Sequence, residues 1–279
     1  MKISVKHETA YTYNKPVWLQ PHTFRMQPRL DGTLRLISQE IQIEPEPMRL
    51  SPCLDAEGNA VVHAWFTGTT DRLSVTSAFK VEMLRDNPFD YLLSPGAQEL
   101  PIRYNDGVEA VLAGYLARQY EDTAVVEFAR DIVAESDSRT LKFLDSLNRH
   151  IHDHCPRIIR EEGSPHPPEV TLQLRTGSCR DVAVLFIEAC RAVGLAARFV
   201  SGYQKGDPDR QARRYMHAWA EVYLPGGGWR GYDPTHGTAV ADQHVAVAAT
   251  RQSCDATPIQ GAFQGTGVAS KMEAHVKIH

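Results

Sequence analysis

The chain has 279 residues, with 30 lysines and arginines against 34 aspartates and glutamates, which gives a net charge of −4. This balance, without a basic stripe along the chain, excludes a protein whose main partner is a nucleic acid. Hydrophobic residues make up 42% of the sequence, which is typical of a soluble globular protein and excludes disorder as the native state.

The compartment is predicted from the first residues and the cysteines. The start, MKISVKHETAYTY, lacks the apolar stretch and the small-residue cleavage site of a signal peptide. No apolar run approaches the roughly 20 residues that a membrane-spanning helix needs. The five cysteines are odd in number and widely spaced, which argues against a disulfide framework. We therefore expect a cytoplasmic protein without membrane partners.

Residues 1–87 show the period-two pattern of β-strands. In Leu73–Met83 the odd-numbered positions are mostly apolar and the even-numbered positions mostly polar. The segment 55–59 is a turn signal that precedes a further apolar run. Several short strands with turns between them predict an N-terminal domain of the antiparallel β-sandwich type.

Residues 88–105 carry three prolines and few periodic apolar residues, so we interpret them as a linker. A second domain is then predicted over 106–279. Helical periodicity begins at Val108, a second helix is expected after Asp122, and a third is expected to start at Ser138. Strand patterns return near residue 199.

One cysteine stands at a predicted helix start. An amphipathic run follows Cys179 and ends at Gly194, a typical C-terminal stop. Unpaired N–H groups and the helix dipole favour a thiolate in the first turn. Because Gly177 lacks a side chain, we expect a substrate carbonyl to approach the backbone there, with the Cys179 N–H as oxyanion donor. On position alone, a reactive cysteine and a buried structural one are equally expected. The cysteines interpreted as buried and structural are Cys53, Cys190 and Cys254.

A nucleophilic thiol needs an imidazole, and the imidazole needs an acceptor that fixes its tautomer. His217 lies in a predicted strand, 215–224, and the glycine-rich turn after it predicts a hairpin whose return strand carries Asp233. If Leu224 paired with Trp229, Asp233 would face away from His217. We therefore predict an odd-length loop or a bulge, which places Asp233 opposite Trp219 and diagonal to His217.

Four motifs in this order resemble the transglutaminase-like superfamily, a branch of the papain-like fold. They are RTGSCRDVA at 175–183, GLAARFVSGY at 194–203, MHAWAEV at 216–222 and WRGYDPT at 229–235. The β-rich start, including Tyr11-Thr-Tyr13, is similar to the N-terminal region of bacterial transglutaminase-like proteins. The resemblance implies an α+β fold, with helices packed on an antiparallel sheet, preceded by a β-sandwich-like domain.

The resemblance also implies a function. Cys179 is implied as the nucleophile, His217 as the base and Asp233 as the residue that orients it. The implied activity is cysteine-dependent acyl transfer on the amide bonds of a peptide or protein substrate, without a cofactor. The residues expected to contact the substrate are Gly177, Ser178, Trp219 and Tyr203.

The sequence departs from the family at one stretch. Bacterial relatives carry an aromatic residue upstream of the cysteine, in a pattern such as F-x-Y-x-P-G. Here 155–163 has no aromatic residue, and Arg157 or a neighbour stands in its place. No side-chain oxyanion donor is therefore named.

Three alternatives remain open. The same triad would serve protein crosslinking, and a non-catalytic module would bind peptides or a partner; we favour hydrolysis over both. The third is a metal site in His150–Cys155, where His150 and His154 share a helix face. No second ligand cluster follows, so we expect no metal. The cluster Arg210, Arg213 and Arg214 is interpreted as a solvated loop.

Overall fold

The computed structural model describes residues 1–160, 163–205 and 216–279. Arg210, Arg213 and Arg214, interpreted above as a solvated loop, lie outside these residues. The described residues form two strand-rich sheets and a third sheet covered by helices, so the predicted α+β fold is confirmed. No helix in these ranges is both long and apolar enough to cross a bilayer.

The N-terminal region is a sandwich of two antiparallel sheets, as predicted. Its strands are β1 (Lys2–Leu19), β2 (His22–Phe24), β3 (Leu34–Glu44), β4 (Arg49–Leu54), β5 (Ala60–Trp65) and β6 (Thr70–Met83). In one sheet β6 lies between β1 and β3, and in the other β5 lies between β2 and β4. Phe24, Val62 and Leu73 meet in the core between the sheets.

The predicted alternation along β6 decides which face of its sheet is buried. Leu73, Val75, Phe79 and Val81 are buried, while the even-numbered residues between them are more exposed. Burying one large aliphatic or aromatic side chain stabilises a fold by about 1.5–3 kcal/mol. A shift of one residue would expose all four, so this strand has one favoured register.

Five α-helices follow within the residues that the structure describes. They are α1 (Asp106–Leu116), α2 (Thr123–Glu135), α3 (Thr140–His154), α4 (Pro168–Leu174) and α5 (Cys179–Ala192). The predicted cap of α2 is confirmed, because the Asp122 side chain accepts hydrogen bonds from the first-turn N–H groups. The predicted start of α3 at Ser138 lies two residues before its observed first residue, Thr140. Asp137 and Ser138 have φ values of 52° and 57°, which an α-helix cannot contain.

The helices pack on the third antiparallel sheet. Its strands are β7 (Ala197–Gln204), β8 (His217–Leu224), β9 (Gly228–Asp233), β10 (Thr238–Ala239) and β11 (His244–Thr250), in the order β10-β9-β8-β7-β11. Helix α5 lies against β7 and β8 and is buried throughout residues 181–191. Its buried charges are paired, since Arg191 donates to Glu188 at 2.8 Å. The start of α5 is therefore held by a rigid core.

Residues 88–105, interpreted as a linker, are instead packed on the helical domain. Ala97, Ile102 and Tyr104 are buried in its core. The Tyr104 hydroxyl donates to the Tyr223 carbonyl oxygen at 3.1 Å and accepts from Ala196 N–H. A free linker would leave these apolar side chains in water.

The C-terminal strands correct the predicted domain bounds of 106–279. After a 3-10 helix (Ser253–Ala256), the strands β12 (Ile259–Gln260), β13 (Phe263–Gln264) and β14 (Ser270–Ile278) return to the N-terminal domain. β12 pairs with β2, while β13 and β14 pair with β1. The end of the chain therefore completes the first domain.

The two domains share an apolar interface. Val5 and Phe79 of the N-terminal sheet contact the cluster that contains Tyr203 of β7 and Val245 of β11. The hydroxyl of Tyr203 also bonds to Nδ1 of His7 at 2.8 Å. The face of the N-terminal sheet is thereby fixed against the sheet that carries His217.

Gly202 of β7 gives a test of strand packing. A Cβ atom there would lie 2.2 Å from the Val245 carbonyl oxygen and 2.6 Å from the Trp219 ring. We expect Gly202→Ala to lower the free energy of unfolding by about 1–3 kcal/mol, because β7 and β11 must separate to admit the methyl group. Urea denaturation followed by circular dichroism measures this change.

The matched control is Gly107→Ala in the first turn of α1. The nearest atom to a Cβ there is 3.9 Å away, and alanine favours a helix over glycine by up to about 1 kcal/mol. Equal free energies of unfolding for the two variants would contradict this account of the packing.

Candidate active site

Cys179 is the first residue of α5, as the sequence predicts. Ser178 is the N-cap, and both its N–H and its Oγ–H donate to Oδ2 of Asp181 at 2.7 Å. Oδ1 of Asp181 accepts from the N–H of His166 at 2.7 Å and from Arg160 at 2.5 Å. Burial opposes ionisation of Asp181, but these hydrogen bonds outweigh it and lower its pKa. The first turn of α5 is therefore fixed from both sides.

Cys179 differs in exposure from the three cysteines that were predicted to be buried and structural. Burial raises the pKa of Cys190, and the prediction of a buried structural residue is confirmed there. The same prediction was wrong for Cys53 and Cys254, which are exposed. Cys53 lies on β4 and Cys254 in the 3-10 helix, and neither segment has a strong apolar face to bury it. Cys179 is partly exposed.

The β8–β9 hairpin has the predicted odd-length loop. Leu224 pairs with Gly228 and Ala220 with Tyr232, so three residues form the loop. The same register places Asp233 opposite Trp219 and diagonal to His217, and this prediction is confirmed. Nε2 of His217 donates to Oδ2 of Asp233 at 2.7 Å. Both side chains are buried.

The side chains of Cys179 and His217 lie close enough that each shifts the pKa of the other. Since Nε2 of His217 is taken by Asp233, the nitrogen left for the sulfur is Nδ1. Burial disfavours the imidazolium, but the charge and hydrogen bond of Asp233 overcome it and raise the pKa of His217 to about 10. Burial also opposes the thiolate, yet His217 and the N–H of Ala218 lower the pKa of Cys179. The favoured state is therefore a thiolate beside an imidazolium.

Asp233 is the centre of a larger cluster. Its Oδ2 also accepts from Nδ1 of His236 at 2.8 Å and from Nε2 of His244 at 3.0 Å. Its Oδ1 accepts from Thr235 N–H at 3.0 Å. Burial disfavours the charge of Asp233, but His217 and these hydrogen bonds hold its pKa well below the usual range.

Sequence reasoning missed His236 and His244. His236 follows Asp233 by three residues in the Asp-Pro-Thr-His turn, so a local signal was present. His244 comes from β11, two strands away from β8 in the sheet, and no local pattern marks it. Burial lowers the pKa of His244, which is therefore a neutral donor to Asp233.

The expectation for Gly177 needs correction. A Cβ atom there would lie 3.0 Å from the Cβ of Asp181 and 3.3 Å from the side chain of Thr171, so glycine permits close packing on α5. Its carbonyl accepts from Ile158 N–H at 3.0 Å, and its N–H donates to Pro156. These backbone groups hold the upstream loop and are not available to a substrate. Ser178 does border the cavity beside Cys179, but its hydroxyl donates to Asp181.

Trp219 and Tyr203, expected to contact the substrate, are 1% exposed and do not border the cavity. Trp219 packs beneath the histidines, with its ring centroid 6.1 Å from that of His217 and 5.2 Å from that of His244. Tyr203 lies in the domain interface. Trp219 shares a face of β8 with His217 but is covered by Val240 and Ala246, and the N-terminal sheet covers Tyr203, so both residues support the site from below.

The reactive pair opens on a cavity of about 590 Å³. Its lining includes Cys179, His217, the loop 157–160 and strands of the N-terminal domain. This volume lies in the range of ligand pockets, about 300–1,000 Å³. The site therefore has room for several residues of a peptide.

The histidines considered as metal ligands serve other contacts. His150 and His154 stack with ring centroids 4.2 Å apart, and Nδ1 of His154 bonds to the His150 carbonyl oxygen. In the described ranges, the group of three metal-ligand side chains close enough to hold an ion is His217, Asp233 and His236, whose ligand atoms lie within 4.8 Å of one another. Those atoms hydrogen-bond to one another.

Comparison with known proteins agrees with this fold. Residues 126–234 match the family model of the transglutaminase-like superfamily, and residues 3–82 match that of the bacterial transglutaminase-like N-terminal region. The chain carries a transglutaminase-like core preceded by a bacterial transglutaminase-like N-terminal region. The matched ranges include Cys179, His217 and Asp233.

Three known proteins are similar to this chain over part or most of its length. An uncharacterized protein of Mycobacterium tuberculosis is 28% identical over 98% of this chain and 91% of its own. A Pseudomonas aeruginosa protein-glutamine gamma-glutamyltransferase is 38% identical, over 23% of this chain and 11% of its own. A crystal structure from Cytophaga hutchinsonii, provisionally described as a cysteine protease, covers 100% of this chain and 90% of its own, with a TM-score of 0.72 and 20% identity. That likeness confirms the fold.

The lowered thiol pKa gives a test that separates reactivity from exposure. At about pH 6, we expect iodoacetamide to alkylate Cys179 before the exposed Cys53 and Cys254, because the thiolate is the nucleophile. Peptide mapping by mass spectrometry gives the order of labelling.

In His217→Ala the order should reverse, because the thiolate loses its imidazolium. Preferential labelling of Cys53 and Cys254 in the wild-type protein would contradict the ion pair. A control with both exposed cysteines changed to serine excludes competition between sites.

Proposed function

We propose that this protein is a cysteine-dependent amidase that hydrolyses peptide or protein substrates. The observation that carries the proposal is the connected set Cys179, His217 and Asp233, which borders a ligand-sized cavity. A lowered thiol pKa, a nearby imidazole and an oriented carboxylate are what nucleophilic catalysis by cysteine needs. The superfamily and the fold agree with this chemistry.

In the first step the Cys179 thiolate attacks the carbonyl carbon of the scissile amide. A carbon–sulfur bond forms, and the carbonyl electron pair moves onto oxygen. The imidazolium of His217 then gives its Nδ1 proton to the leaving nitrogen, and the carbon–nitrogen bond breaks. The products of this step are an amine and a thioester on Cys179.

In the second step water attacks the thioester carbonyl and gives a proton to Nδ1 of His217. The carbon–sulfur bond breaks, the carboxylic acid leaves, and the thiolate and imidazolium are restored. Asp233 keeps its charge throughout, because its low pKa prevents it from taking the proton of His217. Its role is to fix the tautomer and to stabilise the imidazolium.

The oxyanion is assigned to the start of α5. The N–H groups in the first turn of a helix have no partner within the helix, and the helix dipole is positive there. The N–H of Cys179 is the donor nearest the attacking sulfur along the chain. Such a donor contributes about 3–4 kcal/mol to transition-state stabilisation in other acyl-transfer enzymes.

Protein crosslinking is the second candidate. A lysine amine in place of water would attack the same thioester, and the same groups would handle its proton. The observation in its favour is the similarity of 23% of this chain to the glutamyltransferase of P. aeruginosa. Hydrolysis and amine transfer differ in the acceptor, so one assay should follow both products.

The assay uses a library of peptides with blocked amino termini, together with a fluorescent alkylamine. We expect new amino groups from hydrolysis to exceed amine incorporation, and we expect Cys179→Ala and His217→Gln each to lower the rate at least about 1,000-fold. Mass spectrometry of the peptides measures both products. Cys53→Ala is the control, since Cys53 is exposed on β4.

Each outcome distinguishes the candidates. Hydrolysis that persists in Cys179→Ala would contradict the proposal. Amine incorporation without hydrolysis would replace it with crosslinking. Absence of both products, with intact folding, would favour the non-catalytic binding module.

A further inference from the structure

One wall of the active-site cavity belongs to the N-terminal domain. Alternate residues of β1 face the cavity, and each is paired with a residue of β14 that also faces it. The three cross-strand pairs are His7 with Val276, Thr9 with Ala274, and Tyr11 with Met272. These six residues, called here the β1–β14 wall, share one cavity with Cys179 and His217.

The β1–β14 wall is mainly apolar and rigidly supported. Tyr11, Met272 and Val276 are its larger apolar side chains, and Ile158 and Phe199 add apolar groups from the other sides of the cavity. Because β1 is paired along its length with β6 and β14, these side chains stay fixed relative to one another. An apolar pocket beside a reactive thiol favours an apolar group on the substrate.

Two polar contacts of His7 interrupt the wall. Nδ1 of His7 bonds to the Tyr203 hydroxyl at 2.8 Å, and Nε2 of His7 bonds to Oγ1 of Thr9 at 3.0 Å. His7, Thr9 and Tyr203 are all at most 5% exposed. Burial lowers the pKa of His7 to about 4, so its ring is neutral near pH 7 and has one donor and one acceptor nitrogen.

The direction of these hydrogen bonds follows from Tyr203. Its buried hydroxyl must donate its proton, and Nδ1 of His7 is its acceptor within the described residues. Nε2 of His7 is then protonated and donates to Thr9. The Thr9 oxygen is occupied as an acceptor, while its own proton has no acceptor in the described part of the chain. Thr9 therefore presents a hydrogen-bond donor to the cavity.

We propose that the β1–β14 wall selects the substrate: it binds an apolar side chain next to the scissile amide, while the Thr9 hydroxyl donates to a backbone carbonyl oxygen of the same peptide. The substrate class is thus a peptide with leucine-like residues on one side of the cleaved bond. This inference rests on the proposed amidase function. It gives the N-terminal domain a direct part in specificity.

Three inhibitors with one reactive group test the selection. They are acetyl-Leu-Leu, acetyl-Gly-Gly and acetyl-Asp-Asp chloromethyl ketones, and the measurement is the second-order rate of alkylation at Cys179. We expect the leucine compound to react at least about tenfold faster than the glycine compound, since burying one leucine side chain is worth that factor or more. The aspartate compound should be slowest.

Matched variants assign the effect to the wall. Thr9→Val should lower the rate with the leucine compound by about 3- to 10-fold, the effect of one hydrogen bond, whereas Thr9→Ser should retain it. Met272→Asp should reduce the preference for leucine over glycine, whereas Met272→Leu should keep it. Met272 is 49% exposed, so both of its variants are expected to fold.

Iodoacetamide is too small to need the wall, and its rate at Cys179 reports the ion pair alone. Rates with iodoacetamide that are unchanged in Thr9→Val and Met272→Asp, together with loss of the leucine preference, would support the inference. A wild-type protein that shows no leucine preference, or that reacts fastest with the aspartate compound, would overturn it. An ordinary iodoacetamide rate would instead contradict the proposed amidase, whatever the ratio among the peptides.

Discussion

The buried negative charge of Asp233 is the constraint on which the site depends. A carboxylate with no exposed surface is costly unless cations or hydrogen bonds compensate it, and here three imidazoles and one backbone N–H do so. Its charge stabilises the imidazolium of His217, and the imidazolium stabilises the thiolate of Cys179. His236 and His244 hold the carboxylate in place by donating hydrogen bonds to its Oδ2 atom. Without Asp233, His217 would be a neutral buried base and Cys179 an ordinary thiol.

The fold supplies these groups from separate elements. Helix α5 supplies Cys179 at its first turn, β8 supplies His217, and the three-residue loop before β9 sets the register that brings Asp233 to His217. β11 adds His244 from the far side of β7. The N-terminal domain closes the cavity, since β14 returns from the end of the chain to pair with β1. The reactive pair and the wall that faces it thus come from different domains.

Local patterns in the sequence were enough for part of this arrangement. The helix start at Cys179 follows from the amphipathic periodicity and the glycine stop at Gly194, and the hairpin register follows from side-chain geometry, so both were predictable. The pairing of β14 with β1 joins residues far apart in sequence, and the hydrogen bond from His244 to Asp233 joins strands that are not neighbours. No local sequence pattern predicts either contact. The position of Trp219 was not predictable for a similar reason. The sequence pattern of an aromatic residue near a histidine on a strand is the same whether the aromatic side chain lines a cavity or is buried beneath it.

The central claim is that His217 carries a proton at neutral pH because Asp233 and the thiolate hold it there. Nitrogen-15 NMR of labelled histidine measures this directly, since the imidazole shifts report which ring nitrogens are protonated. The account predicts that both nitrogens of His217 stay protonated well above neutral pH, with a pKa of about 10, and that Asp233→Asn lowers it. A His217 that loses its proton near the ordinary value of about 6.5 would contradict the account.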